Sequence, residues 1–121
     1  MFALLLAHNE LWSLPVELTT LPKLQWLQAD GNGLTSLPTW PKDSLLRHLF
    51  ANENKLRTVL GENLPSHLES LSLQTNLLTQ IPANLPDTVL TLEMRGNNVP
   101  VDQRDDVVIH QSGKQTAVHW N

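Results

Sequence analysis

The chain contains no cysteine and no tyrosine, and it has few basic residues. Without cysteine it forms no disulfide, no thiolate metal site and no cysteine nucleophile, which fits a reducing compartment. Eight Lys and Arg stand against twelve Asp and Glu, and they form no basic cluster that could displace counterions from a nucleic acid. No apolar run approaches the roughly 18 residues of a membrane helix. We therefore expect one soluble domain that binds neither nucleic acid nor membrane.

The N-terminal segment MFALLLAHNEL also lacks the features of a signal peptide. It has no positively charged start, and its apolar run is only FALLLA. A secretory signal needs a longer apolar region followed by a cleavage site. We therefore expect an unprocessed N-terminus.

One leucine-rich phrase occurs five times along the chain. The copies are MFALLLAHNEL, LQWLQADGNGL, LRHLFANENKL, LESLSLQTNLL and VLTLEMRGNNV, which begin at residues 1, 24, 46, 68 and 89. Each copy fits L-x-x-L-x-L-x-x-N-x-L, and its residues are numbered below as positions one to eleven. The asparagines at position nine are Asn9, Asn32, Asn54, Asn76 and Asn97, separated by 23, 22, 22 and 21 residues. By this spacing the chain is identified as a member of the leucine-rich repeat proteins.

The spacing within each copy predicts the fold. Positions four and six lie two residues apart, so they share one side of a short strand. Stacked parallel strands would bury that row, and the asparagine would bond to neighbouring turns. After most asparagines comes an L-x-x-L-P-like segment, which favours an irregular or extended return, with one helical turn within LPVELTTLPKL. The prediction is an α/β-class repeat solenoid over residues 1–100, with strands on its concave face and a mostly irregular or extended convex side.

Residues 101–121 do not repeat the phrase. VVIHQ and QTAVHW are separated by Ser112–Lys114, which predicts a β-hairpin that caps the last repeat, with His110 facing Thr116. Trp120 is expected to anchor this hairpin. Trp12 and Trp40 are expected to fill the convex core.

The first strand has no comparable cover. Two explanations stay open: the chain is a fragment of a longer repeat protein, or this N-terminal edge pairs with a partner such as a second copy.

The concave face is where we predict protein binding. Trp26, His48 and Phe50 come from adjacent repeats and should lie together, as in binding hot spots; alternatively, they only stabilise the sheet by cross-strand packing. Polar neighbours would form a rim around them. The full set of predicted protein-binding residues is Trp26, Gln28, Asp30, His48, Phe50, Asn52, Glu53, Ser72, Gln74, Glu93 and Arg95.

No catalytic, cofactor or metal motif accompanies this face. The five histidines are scattered, and there is no nucleophile elbow or phosphate-binding glycine loop. We therefore predict a non-catalytic protein-interaction module without a cofactor.

The segment LPSHLESLSLQTNLLTQIPANLPDTVLTLEMRGNNV, residues 64–99, resembles the short bacterial leucine-rich repeats of YopM-like and IpaH-like effectors. This resemblance implies a protein-binding solenoid in the bacterial cytoplasm, or in the host cytosol if the protein is secreted. The alternative function that it implies is substrate recognition within a larger effector, such as a ubiquitin ligase, whose catalytic domain lies outside this chain. The absence of cysteine caps and of N-x-[ST] sequons is a further argument against an extracellular eukaryotic receptor.

Overall fold

The chain folds into one sheet of seven short strands that are stacked along a solenoid. The structure is a computed structural model that describes residues 2–121. Five strands come from the five repeats and two from the C-terminal segment: β1 (Ala3–Leu5), β2 (Trp26–Gln28), β3 (His48–Phe50), β4 (Ser70–Ser72), β5 (Thr91–Glu93), β6 (Val107–Ile109) and β7 (Gln115–His119). Their order in the sheet is β1-β2-β3-β4-β5-β7-β6. The predicted stack of parallel strands, one per repeat, is confirmed.

The strands pair in register, so that equivalent positions of successive repeats become neighbours. Position four of each repeat is the middle residue of its strand, and Leu27 pairs with Leu49, which pairs with Leu71. These three leucines are at most 1% exposed. Position six is buried in repeats two to five as well. The repeated leucines therefore form one continuous core along the solenoid.

A ladder of asparagine side chains joins the turns behind the strands. Asn54 is representative: its Oδ1 accepts the N–H groups of Asn32 and Leu34, each at 3.1 Å, and its Nδ2 donates to the carbonyls of Ala29 and Asn52. Asn32, Asn76 and Asn97 bond to the preceding turn in the same manner. An amide is suited to this position because it donates and accepts at once.

The return segments contain only short 3₁₀ turns. These lie at Val16–Thr20, Gly61–Asn63 and Val101–Gln103, and residues 2–121 contain no α-helix. The predicted α/β class is therefore not found, although the irregular and extended convex side is. The physical reason is that prolines recur in these segments, and proline removes the N–H donor that a longer helix would need.

The two tryptophans of the return segments have opposite environments. Trp40 is 2% exposed and fills the convex core, as predicted. Trp12 is 83% exposed, so the prediction that it fills the core is wrong. It lies between Leu11 and Leu14, which point inward, and its side chain therefore points to solvent.

The C-terminal segment extends the sheet beyond the last repeat. β7 pairs in parallel with β5, and β6 pairs antiparallel with β7. Val118 aligns with Leu92 and is 4% exposed, so it continues the buried row of position four. The predicted hairpin register is wrong by two residues, because Thr116 of β7 pairs with Val108 and not with His110. The His110 ring, in the loop between β6 and β7, still lies 2.8 Å from the Thr116 hydroxyl.

Candidate protein-binding face

The side chains that the core does not use lie on one side of the sheet. We call this surface the strand face. It consists of the residues at repeat positions three and five, which begin and end each strand, together with the residues aligned with them in β7. Along β2 to β5 these are Trp26, Gln28, His48, Phe50, Ser70, Ser72, Thr91 and Glu93. Because successive side chains of a strand point to opposite faces, burying position four leaves positions three and five outside. The strand face is thus a consequence of the leucine spacing.

An aromatic cluster occupies the strand face at β2 and β3. The ring centroids of Trp26 and Phe50 are 4.7 Å apart, and those of Trp26 and His48 are 5.3 Å apart, with tilted planes in both pairs. These separations are typical of attractive aromatic pairs. The His48 Nδ1 also lies 3.0 Å from the hydroxyl oxygen of Ser70 on the next strand. The structure therefore brings together the three residues that the sequence placed side by side, and all three remain partly exposed.

Two further apolar side chains are exposed at the N-terminal end of the sheet. Leu5 aligns with Gln28 on the strand face and is 66% exposed. Phe2, which precedes β1, is 60% exposed. Leu5 therefore adds apolar surface to the strand face beside β2.

The polar residues at position seven have a structural task in addition to the predicted one. Asp30 accepts the Asn52 N–H at 2.7 Å and the Gln28 side-chain amide at 3.1 Å. Asn52 in turn accepts the Gln74 N–H and the Ser72 hydroxyl, both at 2.7 Å. These side chains form a second row of bonds between turns at the edge of the strand face. They hold the rim in place beside the aromatic cluster.

One predicted contact residue is not available to a partner. Ser72 is 5% exposed, because its short side chain donates to Asn52 and stands between the larger residues of β3 and β5. Its prediction as a surface contact is therefore wrong. At the same position five in β5, Glu93 is half-buried; Gln74 is half-buried as well, and Arg95 is exposed.

The residue at position eight adopts the left-handed backbone conformation in every repeat, which the sequence analysis did not predict. Its residues are His8, Gly31, Glu53, Thr75 and Gly96, with φ between 55° and 75°. Glycine adopts this conformation without strain, whereas other residues are disfavoured there by about 1–2 kcal/mol. Glu53, a predicted contact residue, lies in this turn and is exposed beside the rim.

The C-terminal strands add residues to the strand face that the sequence prediction omitted. Ala117 and His119 align with Thr91 and Glu93, and Val107 aligns with Ala117. The signal was present in the sequence, because Val118 and Trp120 repeat the spacing of positions four and six. It was obscured because β7 contains no leucine.

Negative charge predominates among the predicted contact residues of the strand face and its rim. Asp30, Glu53 and Glu93 lie on it or on its rim, against one predicted cation, Arg95. The single ion pair found among residues 2–121 joins Arg47 to Glu69, the residues directly before β3 and β4. The described residues contain no group of three or more His, Asp or Glu that could hold a metal ion. Residues 2–121 also contain no helix that is long and apolar enough to cross a bilayer.

The in-register leucine core and the asparagine ladder define a leucine-rich repeat protein, and the comparisons with known proteins agree. No known family profile matches the chain. Nephrocan of Mus musculus is 36% identical over 97 residues, which cover 77% of this chain and 19% of nephrocan. Oligodendrocyte-myelin glycoprotein of Mus musculus is 24% identical over 108 residues, which cover 88% of this chain and 22% of that protein. The chain thus spans about a fifth of the length of these curated relatives.

These relatives correct the predicted location. Both are mouse leucine-rich repeat proteins that are secreted or associated with the outside of the membrane, so the prediction of a bacterial or host cytoplasm is wrong. The absence of cysteine and of N-x-[ST] sequons therefore does not exclude an extracellular protein. The resemblance to bacterial effectors likewise finds no support among the relatives.

Proposed function

We propose that the chain is a non-catalytic protein-interaction module that binds a protein partner through the strand face. The observation that carries this proposal is the aromatic cluster of Trp26, His48 and Phe50, which is held on a rigid sheet and partly exposed. Aromatic side chains that are already ordered lose little conformational entropy when they bind, and they dominate the energetics of many interfaces. Both relatives belong to a class of non-enzymatic binding proteins.

The surroundings of the cluster support the same role. Asp30 and Asn52 are fixed by hydrogen bonds between turns, and Glu53 is exposed beside them, so a polar rim borders an apolar centre. This arrangement is that of protein–protein interfaces. Gln74, Glu93 and Arg95 extend the proposed contact surface toward the C-terminal strands, as Gln28 does within β2. Such a partner would be recognised by the chain alone or by a longer protein that contains it; a ubiquitin-ligase context has no supporting observation.

The test compares a tryptophan on the strand face with an exposed tryptophan outside it. The immobilised chain is used to capture proteins from cell extract and from conditioned medium, and the retained proteins are identified by mass spectrometry. A variant with Trp26→Ala and Phe50→Ala should lose specific partners, whereas Trp12→Ala, which truncates an exposed tryptophan away from the strand face, should retain them. If the double variant, shown to be folded, captures the same proteins as the parent chain, the strand face is not the binding surface.

A second proposal concerns the N-terminal edge, through which the chain would associate with a second copy. Leu4 and Leu6 are only half-buried, whereas the equivalent leucines of the inner repeats are almost fully buried. An open strand edge with apolar neighbours favours pairing with another chain. Sedimentation velocity over a range of concentrations should show a dimer, and Phe2→Lys should weaken it. A monomer at all concentrations would refute this proposal.

We further infer that residues 101–121 protect the other end of the solenoid. Thr116 and Val118 are buried on the last repeat, and the Trp120 Nε1 donates to the Asp105 carbonyl at 2.9 Å. Removing these residues would expose Leu92 and Met94 to water. The shortened chain should therefore aggregate, as measured by light scattering; a monodisperse shortened chain would contradict the capping role.

A further inference from the structure

The asparagine ladder contains one member whose chemical context differs from that of the others. Asn32 is followed by Gly33, whereas the remaining ladder asparagines are followed by Glu10, Lys55, Leu77 and Asn98. In a flexible Asn-Gly pair the backbone nitrogen of glycine can reach the asparagine side chain, since no Cβ obstructs the approach. We propose that Asn32 is a site of deamidation, and that the N-terminal turn, residues 2–11, controls its access.

The reaction needs water and no other co-reactant. The Gly33 nitrogen gives up its proton to solvent and attacks the Asn32 Cγ, so that a C–N bond forms and a five-membered succinimide results. The bond from Cγ to the side-chain nitrogen breaks, and ammonia leaves. Water then opens the ring at one of its two carbonyls, which yields aspartate or isoaspartate. No oxidation or reduction takes place.

In the closed structure both reacting groups are held apart by hydrogen bonds. Asn32 Oδ1 accepts the N–H groups of Asn9 and Leu11 at 2.8 and 3.0 Å, and its Nδ2 donates to the Leu6 carbonyl at 3.0 Å. The Gly33 N–H donates to the Leu11 carbonyl at 2.7 Å. All four of these bonds connect the Asn32–Gly33 junction to the N-terminal turn. If that turn separates from the solenoid, the four restraints are lost together.

The N-terminal turn is also packed less tightly than the inner turns of the solenoid. β1 is at the edge of the sheet and pairs on one side only, with β2. Leu4 and Leu6 are half-buried, so the turn is held by fewer apolar contacts than an inner repeat. Local opening of weakly packed ends requires less free energy than global unfolding. Deamidation of Asn32 should therefore follow this local opening.

The product would prevent the turn from closing again. A carboxylate only accepts hydrogen bonds, so it cannot donate to the Leu6, Ala29 and Asp30 carbonyls that the Asn32 amide contacts at 3.0, 3.0 and 3.3 Å. Oxygen would then face oxygen at three places. The structure thus places an irreversible chemical switch, driven by age, at the first junction of the ladder.

The fold does not require glycine at residue 33, which provides a matched control. A Cβ added at Gly33 would lie 3.5 Å from the Leu11 carbonyl oxygen, an ordinary contact, and its φ is outside the left-handed region. Gly33→Ala should therefore fold normally while it hinders the attack on Asn32. Leu4→Ala should have the opposite effect, because it loosens the N-terminal turn and leaves the junction unchanged.

The experiment follows the mass of one peptide with time. The full chain and both variants are incubated at mildly alkaline pH and digested with trypsin, which releases residues 24–42; this peptide contains Asn32 as its single asparagine. Deamidation raises its mass by about one dalton, while isomerisation at Asp30–Gly31 leaves it unchanged. In denaturant Asn32 should deamidate faster than Asn54 and Asn76, and in buffer Leu4→Ala should accelerate it roughly tenfold.

Each comparison can overturn the proposal. If Asn32 reacts no faster than Asn54 in denaturant, or if Gly33→Ala does not slow it there, the Asn-Gly chemistry is wrong. If a folded Leu4→Ala chain deamidates at the parent rate, or neither chain reacts in buffer, the N-terminal turn does not control access. Circular dichroism of both variants checks that they are folded before incubation.

Discussion

Asn54→Ala tests the asparagine ladder at a buried position in the middle of the solenoid. Asn54 is 7% exposed, and its Oδ1 is the acceptor for the N–H groups of Asn32 and Leu34. Among the described residues neither N–H has another acceptor. The two carbonyls that Asn54 contacts are different, because Ala29 O also accepts from Asn32 and Asn52 O from Gly31. The substitution therefore leaves two donors, and no acceptor, without a partner.

The expected loss of stability follows from these two donors. Each buried N–H left unpaired costs roughly 1–3 kcal/mol. Leu34 is fully buried, whereas Asn32 is half-buried and gains some contact with water. We therefore expect the free energy of unfolding to fall by about 3 kcal/mol, a large part of the total of roughly 5–15 kcal/mol for a domain of ordinary stability.

Urea denaturation followed by circular dichroism measures this loss, and Asn9→Ala is the matched control. Asn9 occupies the same repeat position but is exposed, and its side chain makes one bond, to the Ala7 carbonyl at 3.2 Å. Its truncation should change the free energy of unfolding by less than about 0.5 kcal/mol. If the two substitutions prove equally mild, the ladder does not stabilise the solenoid.

Three further predictions are checked by the same denaturation experiment. Thr75→Gly should raise the free energy of unfolding by up to about 1 kcal/mol, because it relieves a β-branched residue at φ 57°; a decrease would contradict the strained turn. Trp40→Ala should cost about 3–5 kcal/mol and Trp12→Ala less than about 0.5 kcal/mol, given their 2% and 83% exposure, and equal effects would contradict these environments. Breaking the exposed Arg47–Glu69 pair should cost less than about 1 kcal/mol at any salt concentration; a larger loss would show that the pair is energetically important.

The parts of the fold that the sequence predicted are those governed by spacing. A separation of two residues between positions four and six determines which side of a strand is buried, and repeats of similar length bring equivalent positions into register. This is why Leu27, Leu49 and Leu71 align and why Trp26 meets Phe50 on the opposite side. The ladder follows as well, because an asparagine recurs where each strand ends.

The parts that the sequence did not predict depend on contacts between turns that have no fixed pattern. Ser72 has the same repeat position as Phe50, yet it is buried because of a hydrogen bond to Asn52, a residue twenty positions earlier. Trp12 is predicted to be buried because it lies in a return segment, whereas Thr35, Arg57 and Thr79 occupy the equivalent position and are exposed.

The parallel pairing of β7 with β5 was missed for a related reason. A hairpin loop is a local signal, and it predicts only that β7 pairs with β6, the strand that is near in sequence. The distant partner required comparison of Val118 with the middle leucine of each repeat.

Distance measurement between spin labels tests the in-register parallel stack most directly. The chain has no cysteine, so pairs of introduced cysteines are labelled without background. Leu5, Gln28, Glu93 and His119 all occupy the same column of the strand face. Neighbouring strands lie about 4.8 Å apart, so the mean distance should increase by about 5 Å per strand from Gln28–Glu93 to Leu5–Glu93 to Leu5–His119. Distances that do not increase in this order would contradict the stacked solenoid.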